Sequence, residues 1–362
     1  MFQNLYHNRK VLVTGHTGFK GSYLVCWLKE LGAEVCGVGL EMDGEFSHFG
    51  LLKPEIRSEI FDIRDRRKLE TLFSEFQPEI VFHLAAQPLV RLSYLDPVET
   101  FDINVTGSAC VLDACRKSAG CRAIVAITSD KCYENRETLT PYTESDPMGG
   151  YDPYSASKGC AELVISSYRR SFFNVADYGK KHNTLLASAR AGNVVGGGDW
   201  ARDRLVPDLM LGAASGRSAV IRNPLAVRPW QHVLEPLSGY LALGAELLSG
   251  NTQFASAYNF GPENTAAVTV KEAAEFLKTG WDALNYEVSP PADAPHEANL
   301  LLLDASKAGR ELGWHGIWDV RETLERTARW YRDFYCTNRI NTMDDLADYI
   351  SCAGSKGLKW TR

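Results

Sequence analysis

The chain has 362 residues, with 39 Lys and Arg against 45 Asp and Glu and a formal net charge of -6. That balance excludes the basic field that nucleic acids or an anionic membrane surface require. The length suits one large α/β core with a smaller attached lobe.

Short Val- and Ile-rich runs predict strands at 11–14, 34–38, 59–61, 80–84, 123–128 and 185–189. Amphipathic helices are expected between them over 20–31, 65–76, 97–118 and 153–173. This alternation is the pattern of successive βαβ units, so the expected fold class is α/β, a Rossmann-like doubly wound parallel sheet with a smaller C-terminal lobe. After about residue 190 the pattern loosens into Gly- and Pro-rich stretches such as 196–200 and 289–293, with a short helix at 306–313 and a surface helix over 318–334. The expected division is a dinucleotide-binding domain over 1–190 joined by 228–262, a substrate lobe made of 191–227 and 263–340, and a tail over 341–362 that is uninformative for function. The amino terminus lacks the apolar region of a signal peptide, and no apolar run reaches the ~18 residues of a membrane span. Nine cysteines, an odd number without a C-x-x-C pair, point to reduced thiols in a cytoplasmic protein rather than disulfides or a metal site.

The first strand runs into Gly15-His16-Thr17-Gly18-Phe19-Lys20-Gly21 and then into a helix. Glycines at that junction let the backbone approach a pyrophosphate at a helix N-terminus, where free amides and the helix dipole favour negative charge. Candidate cofactor contacts are Gly15, Thr17, Gly18, Phe19 and Gly21, then Asp62 and Ile63 after the third strand, where Asp62 either accepts from an adenine amino group or caps the strand end. Leu84, Ala85 and Ala86 end the fourth strand, where Ala85 and Ala86 are small enough for a cofactor to lie across the sheet edge. Asn104, inside a helix pattern, either bridges backbone groups beside the site or faces solvent. Gly39 stands where an acidic residue usually grips the adenosine ribose, and Glu41 is the nearest substitute. His16, Lys20 and His83 read as loop or packing residues.

Tyr154 and Lys158 are spaced i and i+4 and share a helix face, so the ammonium is expected to favour the phenolate and make Tyr154 a general base. With Gly15-x-x-Gly18-x-x-Gly21, Ala85-Ala86, Asn104 and Ser129, the Tyr154-x-x-x-Lys158 pair resembles the extended short-chain dehydrogenase/reductases in order and spacing. Within them, the strings Thr128 to Asn135, Asp152 to Glu162, Arg190 to Trp200 and Arg228 to Val233 are similar to the CDP-glucose 4,6-dehydratases.

The resemblance implies NAD as cofactor, held in part by Tyr154 and Lys158, and a nucleotide sugar as substrate. It also implies a homodimer, formed through the helices that begin near Pro97 and Pro153, and a part in deoxysugar and O-antigen biosynthesis. Its chemistry is oxidation at the sugar C4, loss of water across C5 and C6, and return of hydride to C6. The implied catalytic residues are Ser129, Asp130, Lys131, Tyr154 and Lys158. Asp130 is the candidate acid at C6, which requires it to carry a proton there. Lys131 stands where many nucleotide-sugar dehydratases carry a Glu as the C5 base. It can serve as that base, orient a water, or simply pair with Asp130 or Glu134. Asn193, Arg204 and Arg228 are the candidate diphosphate contacts. The rival readings are another nucleotide-sugar dehydratase, a 4-epimerase, which needs no acid at C6, and a non-catalytic dinucleotide sensor or scaffold.

Overall fold

The computed structural model describes residues 1–41, 46–201, 204–262, 268–289 and 300–362, so part of the Pro-rich stretch at 289–293 lies outside the described residues. Strands and helices are numbered in chain order. The main sheet is built from β1 (Lys10–Thr14), β2 (Glu34–Gly39), β3 (Arg57–Ile60), β4 (Ile80–His83), β5 (Ala123–Ile127), β6 (Leu185–Ala191) and β10 (Ala257–Phe260). Its order is β10-β6-β5-β4-β1-β2-β3, and every pairing is parallel. Two small parallel pairs, β7 (Val194–Val195) with β9 (Gln231–His232) and β8 (Ala219–Ile221) with β11 (Tyr286–Val288), stand apart from it.

The helices are α1 (Phe19–Glu30), α2 (His48–Leu52), α3 (Arg66–Phe76), α4 (Val90–Leu95), α5 (Pro97–Phe101), α6 (Ser108–Lys117), α7 (Pro153–Ser171), α8 (Leu205–Ala214) and α9 (Leu234–Leu248). The chain continues through α10 (Val270–Gly280), α11 (Ser306–Leu312), α12 (Val320–Thr337) and α13 (Thr342–Ser355). Period-two alternation divides the buried strand residues between two layers. Val11, Val13, Ile80, Phe82, Ala123 and Val125 pack with Leu24, Trp27 and Leu28 of α1 and Leu237 and Leu241 of α9. Leu12, Val81 and Ile124 pack with Leu69 and Phe73 of α3, Val111 and Leu112 of α6, and Ile165 of α7. Each such fully buried side chain contributes about 1.5–3 kcal/mol. A third cluster, from α8, α10 and α12, forms the core of the C-terminal lobe.

The expected fold class holds, with three local differences. β3 begins at Arg57, before the expected run, as a polar edge strand of burial pattern exposed, exposed, intermediate, exposed. The single helix expected over 97–118 is α5, a π-helical turn over Asp102–Gly107, and α6. The tail carries α13, whose buried Tyr349 lies edge-on to Trp27 of α1 and Trp318. Beyond α13, Trp360 stacks on Phe2 with ring centroids 5.2 Å apart and meets Trp27 edge-on. Among the described residues no helix is long and apolar enough to cross a membrane.

Parallel register brings the carboxyl ends of the central strands level. Thr14 pairs with Val38 and His83, His83 with Ala126, and Ile127 with Ala189. The chain leaves β1 for one side of the sheet and returns at β4 on the other, which opens a crevice above β1 and β4. Trp27 is fully buried where α1 meets the terminal segments. Trp27→Ala is expected to lower stability by about 3–5 kcal/mol, read as a fall in the urea midpoint at unchanged slope.

Candidate active site

Gly15, at φ +75°, has no room for a side chain, since a Cβ there would lie 2.8 Å from the Ala85 nitrogen. At Gly21 a Cβ would lie 2.0 Å from the Gly15 carbonyl oxygen. The turn therefore closes tightly onto β4, and α1 follows Gly18 at its N-cap without a side-chain cap, leaving its leading amides available to an anion. This uncapped cradle at the switch point suits a dinucleotide pyrophosphate. The Thr17 hydroxyl donates to the Leu40 carbonyl at 2.8 Å. A side chain at Gly39 would meet Thr17 Oγ1 at 2.8 Å and His16 Nδ1 at 3.1 Å, so His16 and Thr17 fill the space that an acid would need. His16 is buried against Ser58, and His83 bonds Thr14 and Ser108, so both are packing residues. Glu41 is exposed.

Asp62 does not present a free carboxylate. It accepts from the Arg64 backbone and guanidinium, at 2.8 Å and 2.6 Å respectively, and these bonds hold its carboxyl below the usual range. Arg64 in turn bonds Glu99 and Asp102, at the start of the π-helical turn. That turn directs Asn104 inward. Its side chain accepts from the Gln87 amide at 2.8 Å and donates to the Gln87 carbonyl at 3.1 Å and to Ser157 on α7 at 2.8 Å. Ile63 is buried, while Phe19, Leu84, Ala85 and Ala86 are half-buried around the crevice.

Asp152 caps α7 by accepting from the Ser155 amide at 2.9 Å, and Pro153 occupies its first turn. Tyr154, Lys158 and Glu162 follow at successive i+4 steps along one buried face. Opposite them, Ser129 leaves β5. Its hydroxyl donates to Asp130 Oδ1 at 2.8 Å and accepts from the Lys131 amide at 3.2 Å. The other Asp130 oxygen lies where Gly192 would carry a Cβ, 2.1 Å from that position. Lys158 Nζ is 6.0 Å from the Tyr154 ring centroid.

The expected easing of Tyr154 ionisation by Lys158 is not what the geometry gives. Burial pushes the phenol up to about 12, and the groups that pull it back are a hydrogen bond with Ser129 and the charge of Arg204. Burial also pulls Lys158 down to about 8. Lys20, read from sequence as a loop or packing residue, is half-buried within electrostatic reach of Asp130, Arg204 and Lys158, and burial brings it down to about 8. The available signal was its position, because a cation in the first turn of a helix opposes the dipole there. Arg204 bonds Asp199 at 2.8 Å and lies close enough to the Tyr154 phenol to interact with it. Asn193 and Arg228 line a cavity of about 150 Å³ with Asp130, Lys131, Tyr133 and Tyr151. A larger open depression of about 500 Å³ lies at the amino ends of β1 to β3, away from all of these groups.

A dinucleotide cradle, a Ser-Tyr-Lys set and an acid and an amine beside a cavity are the groups an oxidoreductase-type site with further acid–base chemistry would need. Residues 12–327 match the family described as GDP-mannose 4,6 dehydratase. The chain is 47% identical over 358 residues to the CDP-glucose 4,6-dehydratase of Salmonella typhimurium, covering 96% of this chain and 98% of that one. It is 29% identical over 334 residues to the dTDP-glucose 4,6-dehydratase of Streptomyces antibioticus, covering 89% and 92%. The UDP-glucose 4-epimerase of Thermus thermophilus in complex with NAD superposes with a TM-score of 0.76 at 26% identity, covering 89% of this chain and 99% of that one. The dTDP-glucose 4,6-dehydratase of Streptomyces venezuelae, solved with NAD bound, superposes at 0.75 and 23% identity over 90% and 97%. The chain belongs to the GDP-mannose 4,6 dehydratase family, within the extended short-chain dehydrogenase/reductases.

Gly192→Ala is expected to displace the Asp130 carboxyl and lower turnover by at least about tenfold, with cofactor affinity unchanged. Titration of the cofactor alongside steady-state rates checks both.

Proposed function

We propose that the protein is an NAD-dependent hydro-lyase that converts CDP-glucose to CDP-4-keto-6-deoxyglucose. The observation that carries this reading is Asp130 and Lys131 beside Ser129, Tyr154 and Lys158, in a chain 47% identical along nearly its full length to a CDP-glucose 4,6-dehydratase. An epimerase needs the last three residues but no acid at C6, and Asp130 is the group that epimerisation leaves without a task.

NAD bound in the Gly15–Gly21 cradle supplies an acceptor for the C4 hydride and its return to C6. Lys158 would hold the nicotinamide ribose. Tyr154 takes the proton from the C4 hydroxyl, and Ser129 hydrogen-bonds the same oxygen. The ketone so formed acidifies the C5 hydrogen. Lys131 removes that proton while Asp130 protonates the departing C6 hydroxyl. Asn193, Arg204 and Arg228 receive the diphosphate, with the Arg204–Asp199 pair leaving guanidinium donors for it.

A homodimer accounts for Leu95, Val98 and Leu163, which expose 82%, 77% and 61% of their surface on α4, α5 and α7. Nine free cysteines suit a cytoplasmic setting.

Mass spectrometry of reactions in deuterated water with CDP-glucose, dTDP-glucose or GDP-mannose tests the reading. Water loss from CDP-glucose with deuterium gained at C5 is expected, and turnover of only another nucleotide sugar overturns the substrate. Tyr154→Phe is expected to lose at least about a hundredfold in turnover with substrate affinity retained. Asp130→Asn should accumulate the 4-keto hexose, detected by borotritide trapping, while Lys131→Met should lose exchange at C5. Leu163→Asp should halve the mass measured by light scattering, and an unchanged mass removes this interface.

A further inference from the structure

Asp130, the proposed acid at C6, is confined on two sides. One carboxylate oxygen accepts from the Ser129 hydroxyl at 2.8 Å. The other lies 2.1 Å from where Gly192 would carry a Cβ, so the backbone of the turn between β6 and β7 forms the second wall. Whatever fixes that turn also fixes the room left to the acid.

Gln231, on β9, does this. Its side-chain amide donates to the Gly192 carbonyl at 3.1 Å and to the Phe260 carbonyl, at the end of β10, at 2.9 Å. Its backbone amide donates to the Asn193 carbonyl at 3.3 Å. Both residues of the turn are therefore gripped by one residue and tied to the neighbouring strand of the main sheet. The turn needs such a hold, because Asn193 adopts φ +20°, a value that few residues other than glycine take up. Gln231 is 3% exposed, and its Oε1 has no hydrogen-bond partner among the described residues. An unpaired buried acceptor is a standing cost. Turning the amide over would set that oxygen against the two carbonyls, so the orientation follows from the groups it serves. The residue keeps an unsatisfied oxygen for the sake of the backbone it holds.

We propose that Gln231 is a positioning residue for the loss of water: by clamping the Gly192–Asn193 turn, it keeps the Asp130 carboxyl where it can protonate the departing C6 hydroxyl. The cavity is lined by Asp130, Lys131, Asn193 and Arg228 but not by Gln231, so Gln231 acts through the backbone it holds and not on the substrate. The same clamp sets Asn193 beside Arg228, which lies three residues before Gln231 in the chain. One residue thus fixes the spacing between the acid and the proposed diphosphate contacts. Once its donors are gone, the Gly192 carbonyl is free to turn, and the wall against Asp130 moves with it. A displacement of about 1 Å in a reacting group costs on the order of 100-fold in rate.

The inference rests on the dehydratase reading above, and it predicts a defect confined to the step that needs an acid. The test compares CDP-glucose with CDP-6-deoxy-6-fluoroglucose in single turnovers of NAD-loaded enzyme. Fluoride leaves C6 as an anion with the electron pair of the C–F bond and needs no proton, while oxidation at C4 and removal of the C5 hydrogen are still required. Gln231→Met, similar in size but without the donors, should lose at least about tenfold with CDP-glucose and less than about threefold with the fluoro sugar. It should also release 4-keto hexose, detected by borotritide trapping, with NAD affinity unchanged. Gln231→Glu, which sets an oxygen against the two carbonyls, should show the same selective loss and carries the test if Gln231→Met does not fold. Equal losses on both sugars, or a loss confined to NAD binding, overturns the inference and leaves Gln231 a packing residue. Failure of the wild type to release water from CDP-glucose is a different result, one that removes the underlying reading.

Discussion

The buried ion pair between Glu162 of α7 and Arg190 of β6 holds the proposed catalytic residues in register. Its oxygen and nitrogen are 2.8 Å apart, and its side chains are only 4% and 5% exposed. Glu162 also accepts from the Thr128 and Ser188 hydroxyls, and Arg190 donates to the Tyr133 hydroxyl at 2.6 Å. Thr128 and Tyr133 bracket Ser129, Asp130 and Lys131, so the pair grips this proposed catalytic string at both ends. Because Glu162 lies on the same helical face as Tyr154 and Lys158, one helix fixes both halves of the site. A charge buried this deeply is tolerated only while its partner is present, and removing either member costs about 3–5 kcal/mol. Arg190 and the hydroxyls beside it hold the Glu162 carboxyl below its ordinary range despite burial.

The same burial sets the chemistry. Desolvation raises the Tyr154 phenol and lowers the Lys158 and Lys20 ammonium groups, so each is held towards its neutral form. Their proton affinities, close together in water, are thereby driven apart, with the phenol holding its proton more tightly than either ammonium group. The close fit around the string maintains this. Gly149 lies so near Glu134 that a Cβ would stand 2.0 Å from its carboxylate, and at Gly192 the same holds for Asp130. Tyr133 extends the packing by stacking on Tyr142 and donating to Asn259 on β10 at 2.7 Å. The far edge of the sheet is thereby coupled to the active loop.

The parts legible in the sequence were those governed by short-range rules. β1, the glycine turn and α1 follow from an apolar run, glycine spacing and a helix start, and α7 from Asp152, Pro153 and its i+4 residues. The π-helical turn was not legible, because Asn104 is turned inward by bonds to Gln87 and Ser157, at positions distant in sequence. Nor was the capture of Asp62 by Arg64, which competes with the adenine contact read from sequence. Lys20 was missed because the residues that surround it come from α7, the loop after β5 and the start of α8. The tail was dismissed on the same ground. Its aromatic residues have meaning only against Phe2 and Trp27, far away in the chain.

That last contact bears on how the protein is made. The outer face of α1 is covered by Tyr349 and Trp360, and His48 bonds both Ser22 on α1 and Thr342 at the start of α13. During vectorial synthesis the cofactor helix therefore emerges well before the rings and hydroxyls that cover it. In the interval it carries an uncovered aromatic surface, the kind of exposure that draws chaperones or aggregation. The amino-terminal half cannot reach its native packing as an independent folding unit, and a ribosome stalled before residue 342 would hold an incomplete nucleotide-binding domain.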